Sequence, residues 1–173
     1  MMKLSEYYPY EYLEDVFTID YKRLYDIGIR GLIFDIDNTL VPHGKPCEAH
    51  VEQLFKKLHN MGFVTLLLSN NSKQRVETFN ATLNSMYIYD AEKPSLVAFQ
   101  KAVQKMQLPL SEIIVIGDQI FTDVCGANRA GLKTILIKYI GYYQKEWKGF
   151  KRYLEYIVLL TYKLRKKYHN RIF

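Results

Sequence analysis

Apolar residues come in short clusters along this chain, and the clusters keep two rhythms. Gly31-Leu32-Ile33-Phe34 is an unbroken apolar run ended by Asp35. A run of that length with no polar face predicts a parallel strand buried on both sides. Residues 63–68, 113–116 and 134–137 read the same way, and 87–89 is a shorter version. Between these runs the spacing lengthens. Val51, Leu54, Phe55 and Leu58 fall three or four apart within residues 48–60, which predicts a helix stopped by Asn60-Met61-Gly62. Residues 72–83, 95–106 and 122–130 also read as helices, the second beginning after Pro94 and the third closed by Gly131. Ahead of them all, residues 21–26 suit a short helix capped by Asp20, and Tyr7, Tyr8, Tyr10, Tyr12 and Phe17 are expected to pack onto the domain.

Strand and helix alternate with short links. That order predicts one α/β domain, Rossmann-like, with a parallel five-stranded sheet between two layers of helices. Three stretches follow: a lead-in over 1–29, a core over 30–140, and a helical tail over 141–173 that is both basic and aromatic. Sheets of this kind hold their ligands beyond the carboxyl ends of the strands, so polar residues at those ends are the candidates for chemistry.

Four groups lie there. Asp35-Ile36-Asp37-Asn38-Thr39 follows the first core strand and sets two acids two apart. Alternation along an extended segment would put both carboxylates on one side, where a cation would compensate them. Taken alone the pair also reads as an Asx turn. Ser69-Asn70-Asn71-Ser72 follows the second strand, where a hydroxyl and backbone N–H groups can cradle a phosphate or merely cap a helix. Lys93 stands before Pro94, placed either to neutralise a phosphate or simply to face solvent. Gly117-Asp118 ends a further strand with Asp123 close behind, completing an oxygen site or capping a helix. Each signal is weak alone, but together, in the order acid pair, hydroxyl, lysine, acid pair, they form a pattern.

That pattern resembles the haloacid dehalogenase (HAD) superfamily of phosphohydrolases, over roughly residues 30–138. Gly28-Ile29-Arg30-Gly31-Leu32-Ile33-Phe34-Asp35 and Ser69-Asn70-Asn71-Ser72 are similar to its small subfamily-III bacterial phosphatases, and through them to phosphatidylglycerophosphate phosphatases. The resemblance implies a HAD-like fold and a phosphatase that needs Mg2+. Asp35 is then the nucleophile that forms an aspartyl-phosphate. Asp37 is the general acid and then the base. The metal ligands are Asp35, Asp37 through its backbone carbonyl, and Asp118. Ser69, Lys93, Asn70 and Asn38 hold the phosphate, the last two through their backbones. Asp123 orients metal-bound waters from behind, and Thr39 fixes the loop. An acid at position 37 also favours a phosphatase over the dehalogenase branch of the superfamily.

Members with a cap domain carry it after the first motif or between the second and third. Here neither interval has room for more than a helix, a strand and their loops, so the domain is expected to lack a substantial cap. An open site suits a large substrate that itself excludes water, such as a lipid head group, a protein or a nucleic-acid end. Charge separates these choices. The chain of 173 residues has a net charge of +6, but residues 138–173 hold ten Lys or Arg against Glu146 and Glu155. A helix over 148–168, with aromatic and apolar residues among its cations, suits an anionic phospholipid surface, and equally a helix packed on the domain with a solvated basic face. Nucleic acid is disfavoured because no known binding motif appears. The leading substrate is phosphatidylglycerophosphate, the alternatives being a capless protein or nucleic-acid-end phosphatase and a non-catalytic binding module that retains the fold. Cys47 and Cys125 form no metal or disulfide pattern. No signal peptide or membrane-spanning run is visible. A cytoplasmic protein is therefore expected, with peripheral contact at the inner face of the membrane and oligomerisation both left open.

Overall fold

A computed structural model describes residues 4–138, 140 and 150–168. Six parallel strands form one sheet in the order β1-β6-β5-β2-β3-β4. They are β1 (Glu11–Leu13), β2 (Gly31–Phe34), β3 (Val64–Leu68), β4 (Met86–Ile88), β5 (Ile113–Gly117) and β6 (Lys133–Ile137). The helices are α1 (Tyr21–Asp26), α2 (Ala49–Asn60), α3 (Lys73–Asn80), α4 (Leu96–Met106), α5 (Cys125–Arg129) and α6 (Phe150–Tyr168).

β2 lies at the centre, paired with β3 on one side and β5 on the other, so that Phe34 is level with Leu67 and Ile116. Alternation divides the strands between two cores. Leu32, Phe34, Leu67, Ile114 and Ile116 face one layer with Val51, Phe55 and Leu58 of α2. Ile33, Leu66, Leu68, Ile113 and Val115 face the other with Ala98, Phe99 and Ala102 of α4. A sheet buried on both faces leaves its backbone groups only one another as partners, so register here is strongly specified.

The sheet has one strand more than the sequence pattern predicts. Glu11–Leu13 pairs in parallel with β6, Glu11 opposite Ile135 and Leu13 opposite Ile137. Three residues at a sheet edge, one of them an acid, carry no readable period. The helix expected over 122–130 also begins differently: Ile120–Val124 winds as a π-helical turn before α5 takes over at Cys125. The intervals Asp37–Ser69 and Ser69–Lys93 hold only α2 with β3, and α3 with β4. The domain is therefore three-layered and carries no large cap. Of the helical tail expected over 141–173, residues 141–149 and 169–173 lie outside the described residues.

Candidate active site

The carboxyl ends of β2, β3 and β5 meet at one cleft of about 160 Å3. Asp35, Asp37, Asn38, Ser69, Asn70 and Lys93 all line it. Asp118 and Asp123 lie beside Asp35, and Thr39 is buried in the same loop.

Asp35 is held in line with the sheet because its N–H donates to the Ile116 carbonyl at 2.9 Å. The chain then folds into a tight turn in which the Ile36 carbonyl accepts from Leu40 N–H at 2.9 Å and from Thr39 N–H at 3.3 Å. Asn38 makes this possible by taking a left-handed conformation, φ 65°, which Asn tolerates better than most residues. The Thr39 hydroxyl lies 3.5 Å from Asp35 Oδ2.

Lys93 is wedged between two acids. Its Nζ donates to Asp35 Oδ1 at 2.6 Å and to Asp123 Oδ1 at 2.7 Å, with only 4% of its side chain exposed. The Asn70 amide clamps the Lys93 backbone from both sides, accepting from its N–H at 2.7 Å and donating to its carbonyl at 3.3 Å. Asp90 and Glu92, just before it, have φ values of 43° and 54°. Such backbone is costly for residues with a Cβ and persists where the surroundings over-determine it. Burial by itself would discharge the lysine, but the charges of Asp123 and Asp35 outweigh it and hold the ammonium protonated.

Asp123 lies in the same carboxylate cluster. Its carboxylate lies with those of Asp35 and Asp118, one oxygen of each falling within 4.8 Å of the others. It also accepts from Gln119 N–H at 3.1 Å, which fastens the π-turn to the end of β5. Gly117 leaves the room for this, since a Cβ there would collide with the Asp123 carboxylate. Three carboxylates against one ammonium leave a net charge of two negative in a largely buried place. A divalent cation balances that charge, and a donor set made only of hard oxygens suits Mg2+ rather than a thiophilic metal. The residues present fit such an ion. Burial pushes the Asp35 carboxyl up to about 6, against the pull of Lys93 and with the repulsion of Asp123.

Asp37 lines the same cleft with a different set of partners. Its carboxylate accepts from Asn71 Nδ2 at 2.6 Å, Gly44 N–H at 2.9 Å and Arg75 Nη2 at 3.1 Å, with His43 Nδ1 at 3.5 Å. Burial would raise its pKa, but these donors together hold it below the ordinary carboxylate range. Arg75 also donates to the Lys45 carbonyl at 2.6 Å, tying α3 to the loop after Asp37. The Ser69 hydroxyl accepts from the Asn71 amide at 2.9 Å. Sequence reasoning missed Asn71, Arg75 and His43, and with them Gln119 and Thr122 on the cleft wall. One signal was available for Arg75: it lies in the first turn of a helix that starts at a strand end, where side chains reach back towards the sheet.

Comparison with known proteins agrees with this geometry. A family model described as HAD-hydrolase-like matches residues 91–158. Over 130 residues the chain is 38% identical to a Bacillus subtilis (strain 168) protein named probable phosphatase YqeG, covering 75% of this chain and 76% of that one. The chain belongs to the HAD superfamily. It is a HAD phosphatase built round an aspartate cluster of the kind that holds a divalent metal. It is also 25% identical over 140 residues to phosphatidylglycerophosphate phosphatase 1, chloroplastic, of Chlamydomonas reinhardtii, covering 75% of this chain and 52% of that protein. Among solved structures, the cobalt-bound deoxy-D-mannose-octulosonate 8-phosphate phosphatase (YrbI) from Haemophilus influenzae shares the fold, with a TM-score of 0.51 at 15% identity, over 79% of this chain and 90% of that one. Among the described residues of this HAD phosphatase, no helix is long and apolar enough to cross a membrane.

Proposed function

We propose that this HAD phosphatase hydrolyses a phosphomonoester through an aspartyl-phosphate on Asp35, with Mg2+ as cofactor, and that its substrate is a lipid head group at a membrane surface, phosphatidylglycerophosphate first among them. One observation carries the chemistry: the Asp35 carboxylate lines the open cleft with Lys93 Nζ at 2.6 Å and two further carboxylates beside it. Asp35, Asp118 and the backbone carbonyl of Asp37 would hold the ion, and Asp123 is close enough to join them or to order water around them. When bound, Mg2+ would screen the phosphate's charge from the anionic nucleophile.

In the first step an Asp35 oxygen forms a bond to phosphorus while the bond from phosphorus to the alcohol oxygen breaks. Asp37 gives the departing oxygen its proton. In the second step a water oxygen bonds to phosphorus, Asp37 takes the proton from that water, and the bond from Asp35 to phosphorus breaks, which regenerates the carboxylate. Lys93, the Ser69 hydroxyl and the backbone N–H groups of Asn38 and Asn70 would hold the phosphate oxygens. Thr39 keeps the Asp35 loop in shape. For its proton transfers Asp37 has to exchange the donors that now hold it.

The substrate reading is supported by the absence of a large cap and by similarity to phosphatidylglycerophosphate phosphatases, of which the chain spans about half the length or less. The test is phosphate release from phosphatidylglycerophosphate in mixed micelles with Mg2+, run beside p-nitrophenyl phosphate. Asp35→Asn should abolish both activities. Hydrolysis of the aryl ester without the lipid would leave the mechanism standing and remove the lipid substrate.

A further inference from the structure

The tail helix α6 is apolar on two sides. Its inner side is accounted for: Glu155 and Tyr162 are buried, Val158 and Leu159 pack against a cluster that includes Ile120, Val124 and Leu136, and Tyr8 donates its hydroxyl to Thr161 at 3.2 Å. Its outer side is exposed. Tyr153, Ile157, Leu160 and Leu164 recur every three or four residues and are 41–61% exposed. Leu164, at 61%, is the most exposed large apolar side chain among the described residues. A helix that packs one face on its domain and shows a second apolar stripe to water has a further surface to meet.

Charge says which surface. Four of the five residues from Lys163 to Lys167 are cations, and no acid follows Glu155. Glu155 itself points inward, where its Oε1 accepts from Ile120 N–H at 2.8 Å, so it does not offset them. Lys163 and Arg165 lie at the seam with the domain, 5.5 Å from the Tyr12 ring and 5.6 Å from the Tyr8 ring. Aromatic and aliphatic residues flanked by cations, on a helix not apolar enough to span, match the interface of an anionic bilayer.

We propose that the outer face of α6 is a docking surface for an anionic lipid bilayer, the helix lying in the plane of the interface. This deepens the lipid reading above and rests on it for its purpose, although the surface itself is argued from α6 alone. Ile120 follows Asp118 by two residues and opens the turn that carries Asp123. α6 is bonded to that turn through Glu155, and the same turn carries Thr122 of the cleft wall.

The test uses the full chain and sedimentation with vesicles of phosphatidylcholine alone or with equal parts of phosphatidylglycerol. The chain should sediment with the anionic vesicles, not with the neutral ones, and be released by added salt. Replacing Leu160→Asp and Leu164→Asp together should weaken vesicle binding about tenfold or more and leave p-nitrophenyl phosphate hydrolysis unchanged. Failure of the wild type to bind anionic vesicles would overturn the proposal. So would equal binding by the double variant, or a wild-type dimer in solution that the double variant dissolves. Vesicle binding without hydrolysis of phosphatidylglycerophosphate would uphold the docking surface and remove only the substrate.

Discussion

Arg75 and Lys93 show two uses of a cation in one cleft. Lys93 is enclosed by carboxylates, and removing one partner of a buried pair costs about 3–5 kcal/mol because a charge is left behind. Arg75 touches no metal-cluster carboxylate. It joins Asp37 Oδ1 to the Lys45 carbonyl, and so sets where the group proposed for proton transfer and its loop rest. Arg75→Ala should therefore act unevenly. Hydrolysis of an alkyl phosphate, whose leaving oxygen needs a proton, should fall on the order of tenfold, a fraction of what a general acid contributes. Hydrolysis of p-nitrophenyl phosphate should change much less. Steady-state kcat for the two esters checks this, and an equal loss in both would rule out a role for Arg75 through the proton transfer. Lys93 was legible in the sequence because it stands just before Pro94 in the loop that follows β4, on the ligand side of the sheet. Arg75 and Asn71 were not, because the direction of a side chain from a helix depends on how that helix docks.

At the scale of elements, the buried strands were the most readable part of the chain. β2, β3, β5 and β6 carry apolar runs that suit no other position, and the acids that end two of them had to sit at one edge of the sheet. The π-turn was not readable. Its Val124 N–H reaches the Gln119 carbonyl five residues back, at 3.2 Å, while the Asp123 carboxylate holds Gln119 N–H. A turn closed by one of its own side chains leaves no period in the sequence. It depends instead on Gly117. In Gly117→Ala the new Cβ would push Asp123 away from Lys93, costing about 1–3 kcal/mol by overpacking. Urea denaturation should report that loss, and the Mg2+ concentration needed for half-maximal activity should rise.

At the scale of the whole molecule, the net negative cluster links stability to metal. An ion that binds only the folded chain stabilises it by mass action, by about 2.7 kcal/mol at a hundred times its dissociation constant. Mg2+ should accordingly raise the thermal midpoint. Asp118→Asn should remove most of that rise, as thermal denaturation with and without the ion would show. The three layers and the missing cap were legible because the strand and helix rhythms count the elements directly. The sixth strand and the seating of α6 were not, since both are made by contacts across more than a hundred residues: Glu11 with Ile135, and Tyr8 with Thr161.

The hydrogen bond from Ile120 to Glu155 also decides where this enzyme can be cut. The sheet is complete at Ile137, and a boundary drawn there would keep every motif residue. It would also strip the Glu155 acceptor from the Ile120 N–H and uncover Val124 and Leu136. A fragment that keeps the Glu155 acceptor on the turn between Asp118 and Asp123 therefore has to include the part of the tail helix that carries Glu155.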